Sequence, residues 1–311
     1  MHVPVLADAV VALLVPGPMD AIVVDATIGA GGYAERILEA MGPRGRIIGI
    51  DRDERALALA QERLARYGER VTYVHAAFDR LEEIVRDEHE GQVDGVVYDF
   101  GLSSMHVDDA ARGFSFRQDA PLDMRMDPSQ SLTAADVVNT YEEPDLARII
   151  RTYGEERWAA RIASFIVLHR RRAPISTTLE LVEIIRAAVP KAARRGGPHP
   201  ARRTFQALRI EVNRELEQIE SSLPQALSVT SPGGRLVAVS YHSLEDRIVK
   251  RFFRGEADGE APRLRLIKRK PIRPSEEEIA QNPRASSALL RAAEVLASPR
   301  PEFTGPEGSA A

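Results

Sequence analysis

Cysteine is absent from the 311 residues, tryptophan occurs once, and aromatic residues make up only 5% of the chain. Without cysteine there is no disulfide framework and no thiolate metal site. No apolar run approaches the roughly 18 to 20 residues needed to span a bilayer. The N-terminus, Met1 to Pro18, carries neither a basic leader nor a small-residue cleavage pattern. The 7 histidines show no metal-ligand spacing, so no metal is expected, and His2 and His89 read as surface or packing residues. There is no G-x-S-x-G elbow. Asp99-Phe100-Gly101 spells a kinase magnesium motif, but the V-A-I-K strand and H-R-D loop that a kinase needs are missing. These absences point to a cytoplasmic protein whose chemistry rests on neither metal nor thiol.

What is present is ordinary core-forming sequence, with 44% hydrophobic and 28% charged residues, on a chain longer than one average domain. The net charge of -4 excludes a globally basic nucleic-acid binder. The charge is nevertheless uneven. Lys191 to Arg203 holds Lys191, Arg194, Arg195, Arg202 and Arg203 without an acid, and Arg263 to Arg273 is similarly basic through Arg263, Arg265, Lys268, Arg269, Lys270 and Arg273. Two such runs on an acidic protein suggest local anion contacts or solvated loops rather than a general attraction.

The first hundred residues alternate strand and helix signals. Strands are expected at Ala21–Asp25, Arg46–Asp51, Val71–His75 and Val93–Asp99, with helical stretches ending near Met41, over Arg55–Tyr67 and around Leu81–Val85. Strands separated by helices of this length imply βαβ units and a parallel sheet. Met105 to Met126 then reads as loop and Thr133 to Val189 as helix, with Thr177 and Glu180 spaced as a capping box. Phe205–Leu223 reads as one amphipathic helix, Arg235–Ser240 as a buried strand and Leu244–Phe253 as a helix. Leu264–Ile267 and Ser287–Ala292 read as two last strands. The simplest account is a doubly wound α/β domain, residues 1–104 plus 205–298, interrupted by a helical insertion at 105–204, with a disordered tail over 299–311.

The stretch Asp25-Ala-Thr-Ile-Gly-Ala-Gly-Gly-Tyr33 sets glycines between a strand and a helix, where backbone approaches a ligand closely. Asp51 ends the next strand, where a carboxylate can accept hydrogen bonds from both hydroxyls of an adenosine ribose, each worth roughly 1.5 to 3 kcal/mol. Gly29, Gly31 and Ala34 also satisfy a permissive dinucleotide fingerprint, which keeps a nicotinamide oxidoreductase as the rival reading. Asp25 and Asp99 favour the other choice. They end the first and fourth strands, neighbours at the switch point of a doubly wound sheet. A pyrophosphate there would meet like charge, at about 4 kcal/mol per close pair for an effective dielectric of about 20. The ammonium of S-adenosylmethionine would be attracted.

Several longer segments then point to a family. They are His2-Val-Pro-Val5, residues 25–33, Gly49-Ile-Asp-Arg-Asp53, Asp99-Phe-Gly-Leu-Ser-Ser104, Arg112-Gly-Phe-Ser-Phe116 and Pro121-Leu-Asp-Met-Arg-Met-Asp127, followed by Tyr153-Gly-Glu-Glu156, His199 to Asn213, Ser240 to Phe253, and Asn282-Pro-Arg284. With these the chain resembles, over nearly its whole length, the bacterial ribosomal RNA small subunit methyltransferase H family. The resemblance implies a Rossmann-like class I methyltransferase that uses S-adenosylmethionine to methylate the exocyclic N4 of a cytidine in the decoding region of 16S rRNA. It implies a donor site at Gly31, Gly32, Tyr33, Asp51, Phe78, Asp99 and His106. It also implies 16S rRNA within the small ribosomal subunit as partner, and allows a homodimer. The chain departs from the family pattern at Tyr33 (usually His), at His106 (usually Gln), and at Ser286 and Leu289, where basic residues are common.

Asp99 is the expected acceptor of the N4 proton or, alternatively, a donor-holding group. Tyr241 and His242 lie in Ser240-Tyr-His-Ser243 at the end of the fifth strand, where the one is expected to stack on an extruded cytosine and the other to bond its edge or phosphate, with core packing as the alternative for the aromatic. Arg202, Arg203 and Arg209 are candidates for phosphate contact, and Phe114 and Phe116 for a substrate lid or for packing. A third reading remains, a ribosome-assembly factor with a donor-binding fold and no catalysis.

Overall fold

Continuous apolar runs in the strands and apolar residues at helical spacing between them build a three-layer α/β arrangement in the computed structural model, which describes residues 4–15, 20–102, 109–194 and 199–297. In chain order the first half runs α1 (Ala7–Leu14), β1 (Ile22–Asp25), α2 (Gly32–Ala40), β2 (Arg46–Asp51), α3 (Glu54–Leu64), β3 (Val71–His75), α4 (Leu81–Glu88) and β4 (Val93–Asp99). A helical segment follows with α5 (Ala134–Thr140), α6 (Glu143–Gly154), α7 (Ala159–Arg170), α8 (Thr178–Ala188) and α9 (Arg202–Asn213). The chain closes with α10 (Glu215–Val229), β5 (Thr230–Ser240), α11 (Ser243–Ala257), β6 (Leu264–Leu266), α12 (Glu276–Gln281) and β7 (Leu289–Val295).

The seven strands form one sheet in the order β3-β2-β1-β4-β5-β7-β6. β1 through β5 are parallel, and β7 runs antiparallel to both β5 and β6. Successive residues of each parallel strand feed opposite faces. Val23, Ile47, Val97 and Val237 pack with α1, α2 and α3, whereas Val24, Ile48, Val96 and Leu236 pack with α4, α10 and α11. Burial on both faces explains why these strands read as continuous apolar runs. The parallel register sets the carboxyl ends of β1, β2, β4 and β5 along one edge, and with them Asp25, Asp51, Asp99 and Ser240.

The helical segment has its own apolar core, from Phe114, Leu122 and Met124 through Ile149, Ile162 and Ile185. That core continues past residue 204 into Phe205, Leu208 and Val212 of α9. Thr133 with Asp136, and Thr177 with Glu180, close capping boxes on α5 and α8. The single helix expected over Phe205–Leu223 is instead two. Arg214 adopts φ 51, ends α9 and starts α10, which then runs on past Pro224. The 299–311 tail and His106 lie outside the described residues.

Candidate active site

A cleft of about 860 Å³ opens over the carboxyl edge of β1, β2 and β4. One half is lined by Thr27, Gly29, Gly32, Tyr33, Asp51, Phe78 and Asp99. The other is lined by Phe114–Arg117, Arg202, Phe205 and Arg209, with Tyr241 and His242 along the join.

The glycine loop is held from both sides. Gly31 is the N-cap of α2 at φ +77, and a Cβ there would meet Leu64 Cδ1 at 3.0 Å. At Gly32 a Cβ would lie 2.7 Å from Pro4 Cγ. Gly31 therefore faces α3, while Gly32 faces the N-terminal segment and the cleft. Tyr33, 4% exposed, donates its hydroxyl hydrogen to Val5 O and so anchors that segment. Its burial, with Asp99 and Asp25 nearby, raises the phenol well above the usual tyrosine range.

Three acids end three strands. Asp51 Oδ2 accepts from Gly29 N–H at 2.9 Å and Oδ1 from Asp53 N–H at 2.9 Å, which sets its carboxylate across the mouth of the glycine loop. Asp25 is 1% exposed; one oxygen accepts weakly from Thr27 N–H at 3.3 Å, and the other is buried with no hydrogen-bond partner. Burial pushes Asp25 up to about 8, against the Thr27 N–H, with the charges of Asp99 and Asp51 adding to the rise. Asp99 is half-buried. Thr27 Oγ1 accepts from its N–H at 2.7 Å, and Tyr241 donates its hydroxyl to Asp99 Oδ1 at 2.8 Å. Burial lifts Asp99 to about 7; the Tyr241 bond opposes the rise and Glu245 adds to it.

Phe78, on the short 3-10 turn after β3, sits edge-on to Tyr98 with ring centroids 5.7 Å apart and tilted to Phe100 at 6.0 Å. It presents an aromatic wall to the first half of the cleft.

The structure turns Tyr241 and His242 to work that their position in the sequence does not announce. The Tyr241 hydroxyl is directed to Asp99. His242 caps α11 and places Nε2 3.0 Å from Glu245 Oε1. Glu245, fully buried, accepts from Tyr241 N–H at 2.7 Å and His242 N–H at 3.2 Å. Burial works to raise Glu245, but His242, Arg209 and the Tyr241 N–H outweigh it and hold the carboxyl below its ordinary value. Arg209 grips Glu215 with both fork nitrogens, at 2.7 and 2.8 Å. The carboxylate and imidazole atoms of Glu215, His242 and Glu245 lie within 4.8 Å of one another, and the Arg209 guanidinium already supplies a positive charge beside them.

Sequence reasoning missed Glu245, Glu215 and the neutralising role of Arg209. Glu245 carries a signal, since it stands three residues after the cap as in a capping box, but the capping residue is a histidine rather than Ser or Thr. Phe114 is buried in the helical core, and Phe116 stacks on His199 at 4.7 Å and 13° while also lining the cleft. Among the described residues of the two basic runs, only Arg202 lines the cleft. In the second, Arg263 and Arg265 are paired with Glu256 and Glu294. The departures Ser286 and Leu289 fall on an exposed 3-10 turn and on the first residue of β7.

Asp51 and Asp99 line the first half of the cleft, with Asp25 buried behind them. Arg63 there is committed to Glu35, and Arg52 to the carbonyl of Asn213. An orphaned buried carboxylate oxygen on Asp25 suits a ligand that brings positive charge and N–H donors, as S-adenosylmethionine does. Together with the strand order and its single reversed strand, this defines a class I S-adenosylmethionine-dependent methyltransferase.

The MraW methylase family matches residues 1–296, and the chain belongs to that family. It is 53% identical over 310 residues to the ribosomal RNA small subunit methyltransferase H of Acidothermus cellulolyticus, covering 95% of this chain and 94% of the other. The proteins of the same name from Heliobacterium modesticaldum and Beutenbergia cavernae are each 50% identical, over 309 and 307 residues. They cover 95% and 94% of this chain, and 98% and 92% of their own. Membership of a methylase family sets the oxidoreductase reading aside.

Proposed function

We propose that this protein methylates small-subunit ribosomal RNA in the cytoplasm, transferring a methyl group to the exocyclic N4 of a cytidine in the decoding region of 16S rRNA. The observation that carries the chemical part is Asp99, a half-buried carboxyl lifted to about 7, held by Tyr241 where the two halves of the cleft meet. The names of the relatives support the RNA part.

S-adenosylmethionine, when bound, supplies an electrophilic methyl group on a sulfonium and departs as S-adenosylhomocysteine. In the donor half, Asp51 would accept from the ribose hydroxyls and Phe78 would offer its ring to the adenine. Asp25, buried behind the cleft wall, would favour the ammonium group through its charge, and Gly31, Gly32 and Tyr33 would shape the loop that admits the methionine part. The cytidine N4 is a poor nucleophile because its lone pair is delocalised into the ring, so alignment within the cleft contributes much of the rate. As the N–C bond forms, N4 sheds one proton, and Asp99 accepts it. Tyr241 acts through Asp99, occupying Oδ1 so that the second oxygen is left for the amine. His242 acts through Glu245, which holds the Tyr241 backbone. The helical segment 105–204, whose core extends through α9, is the substrate-recognition unit; residues 1–104 and 205–298 are the donor-binding unit.

The test is methylation of small subunits purified from a strain lacking the protein, followed by nucleoside mass spectrometry and mapping of the modified position. N4-methylcytidine should appear only when enzyme and donor are both supplied. Normal N4-methylcytidine in the deletion strain would leave only a binding role in ribosome assembly.

A further inference from the structure

Immediately after Asp51 the chain reaches once to the end of α9 and twice to the helical segment within four residues. Arg52 Nη1 donates to Asn213 O at 2.9 Å, Asp53 Oδ2 receives Arg112 Nη1 at 3.0 Å, and Arg55 Nη1 meets Asp109 Oδ2 at 3.1 Å. The contacts differ in kind. The Arg55–Asp109 pair is exposed and screened by salt, whereas Asp53 is 1% exposed and the Arg112 side chain 12%, so their charges interact largely out of water.

Asp53 is also tied back to the donor half. Its N–H donates to Asp51 Oδ1 at 2.9 Å, and its Oδ1 caps α3 by accepting from Arg55 N–H at 3.0 Å. On the other side, Arg112 Nη2 donates to the carbonyls of Arg125 at 2.9 Å and Met126 at 2.7 Å, while Arg112 O accepts from Met124 N–H at 3.0 Å. Gly113 follows at φ +70, where a Cβ would lie 2.2 Å from Pro121 O. The chain has no slack there. Arg112 and Gly113 thus set where the chain enters the four residues Phe114 to Arg117, and all four line the cleft.

We propose that Arg112 is a positioning residue, registering the acceptor wall Phe114–Arg117 against the donor-binding acid Asp51 through Asp53. The proposal rests on the donor and RNA reading given above. Arg112 touches neither donor nor acceptor; it sets the separation between them. A lysine keeps the charge facing Asp53 but has no planar fork to hold the Arg125 and Met126 carbonyls as well.

The experiment compares the full-length protein with Arg112→Lys and Arg112→Met by donor calorimetry, thermal melting, and steady-state methylation of small subunits. In Arg112→Lys, kcat should fall by about tenfold or more, the penalty expected of a misplaced reactant. Donor Kd should stay within about twofold and Tm within a few degrees, and Arg112→Met should be slower still. If Arg112→Lys melts early, Asp53→Asn carries the same expectation, because an asparagine still caps α3. An unchanged kcat would overturn the proposal, as would losses in kcat, donor affinity and Tm that track one another. Failure of the unsubstituted protein to bind donor or methylate the subunit would sink the functional reading instead.

Discussion

Asp25 and Asp99 are carboxyls that burial lifts above the ordinary carboxylate range, and they answer pH in different ways. As the proposed proton acceptor, Asp99 would work in its ionised form, so methyl transfer should rise through about pH 7 and level off above it. The Tyr241 hydroxyl favours the charged form. Tyr241→Phe should therefore raise the Asp99 pKa further and move the rising limb of the kcat–pH profile to more alkaline pH, leaving the plateau partly intact. Asp99→Asn should lower kcat by roughly 10²- to 10⁴-fold at every pH. Asp25 is lifted to about 8 and so carries a proton at neutral pH in the free protein. An ammonium placed beside it stabilises the carboxylate, and donor binding should expel a proton near pH 7. Calorimetry in buffers of different ionisation heat measures that release, which Asp25→Asn should abolish. In stability the sign is the reverse of a salt-bridged acid. Asp25 holds its proton in the folded state and loses it when unfolded, so its contribution declines as pH rises from about 4 to about 8.

Among the secondary-structure elements, the break between α9 and α10 is the point where periodicity misled. Apolar residues continue at helical spacing from Phe205 to Leu223, and neither glycine nor proline marks Arg214. What ends α9 is tertiary. The buried Asn213 amide donates to Met124 O at 2.7 Å and Arg209 O at 2.9 Å, and accepts from Met126 N–H at 2.8 Å. The Asn213 carbonyl, which a continuing helix would offer to a later N–H of its own, instead accepts from Arg52 Nη1 at 2.9 Å and Gln218 Nε2 at 3.2 Å. Asn213→Ala leaves several of these buried groups unpaired and should cost about 2 to 4 kcal/mol in urea unfolding. Arg214→Gly is the contrasting case. Glycine carries no left-handed penalty at φ 51, and the bond lost to Glu217 is exposed. That variant should be neutral or stabilised by up to about 1 kcal/mol, whereas Arg214→Val should be less stable than either.

The whole molecule is acidic, yet Arg117 and Arg202 line its cleft on the side of the helical segment, where the RNA is proposed to bind. Binding to RNA should therefore depend on salt through a few phosphates only. The expected slope of log K against log salt is about -0.7 to -0.9 per phosphate neutralised. A net charge of -4 offers little long-range attraction to naked RNA, so a shaped ribonucleoprotein surface should be the better substrate. Rates on assembled small subunits and on protein-free 16S rRNA, measured side by side, check this; equal rates would contradict it. Among the described residues no helix is long and apolar enough to cross a membrane.

The strands from Arg46 to Asp99, the glycine loop and the three strand-end acids were legible in the sequence because each depends on local pattern. A buried parallel strand is an apolar run, a turn beside a ligand is glycine, and an acid at a strand end stays there however the helices pack. The family-bearing segments were legible for the same reason, being contiguous. Everything that required two distant segments to meet was decided by the tertiary structure. Tyr241 reaches Asp99 across 142 positions, Asp53 meets Arg112 across 59, and Arg209 meets Glu245 only where α9 and α11 converge. Burial then sets the charge each group carries, because the cost of ionisation depends on what water has been removed, and no single segment contains that information.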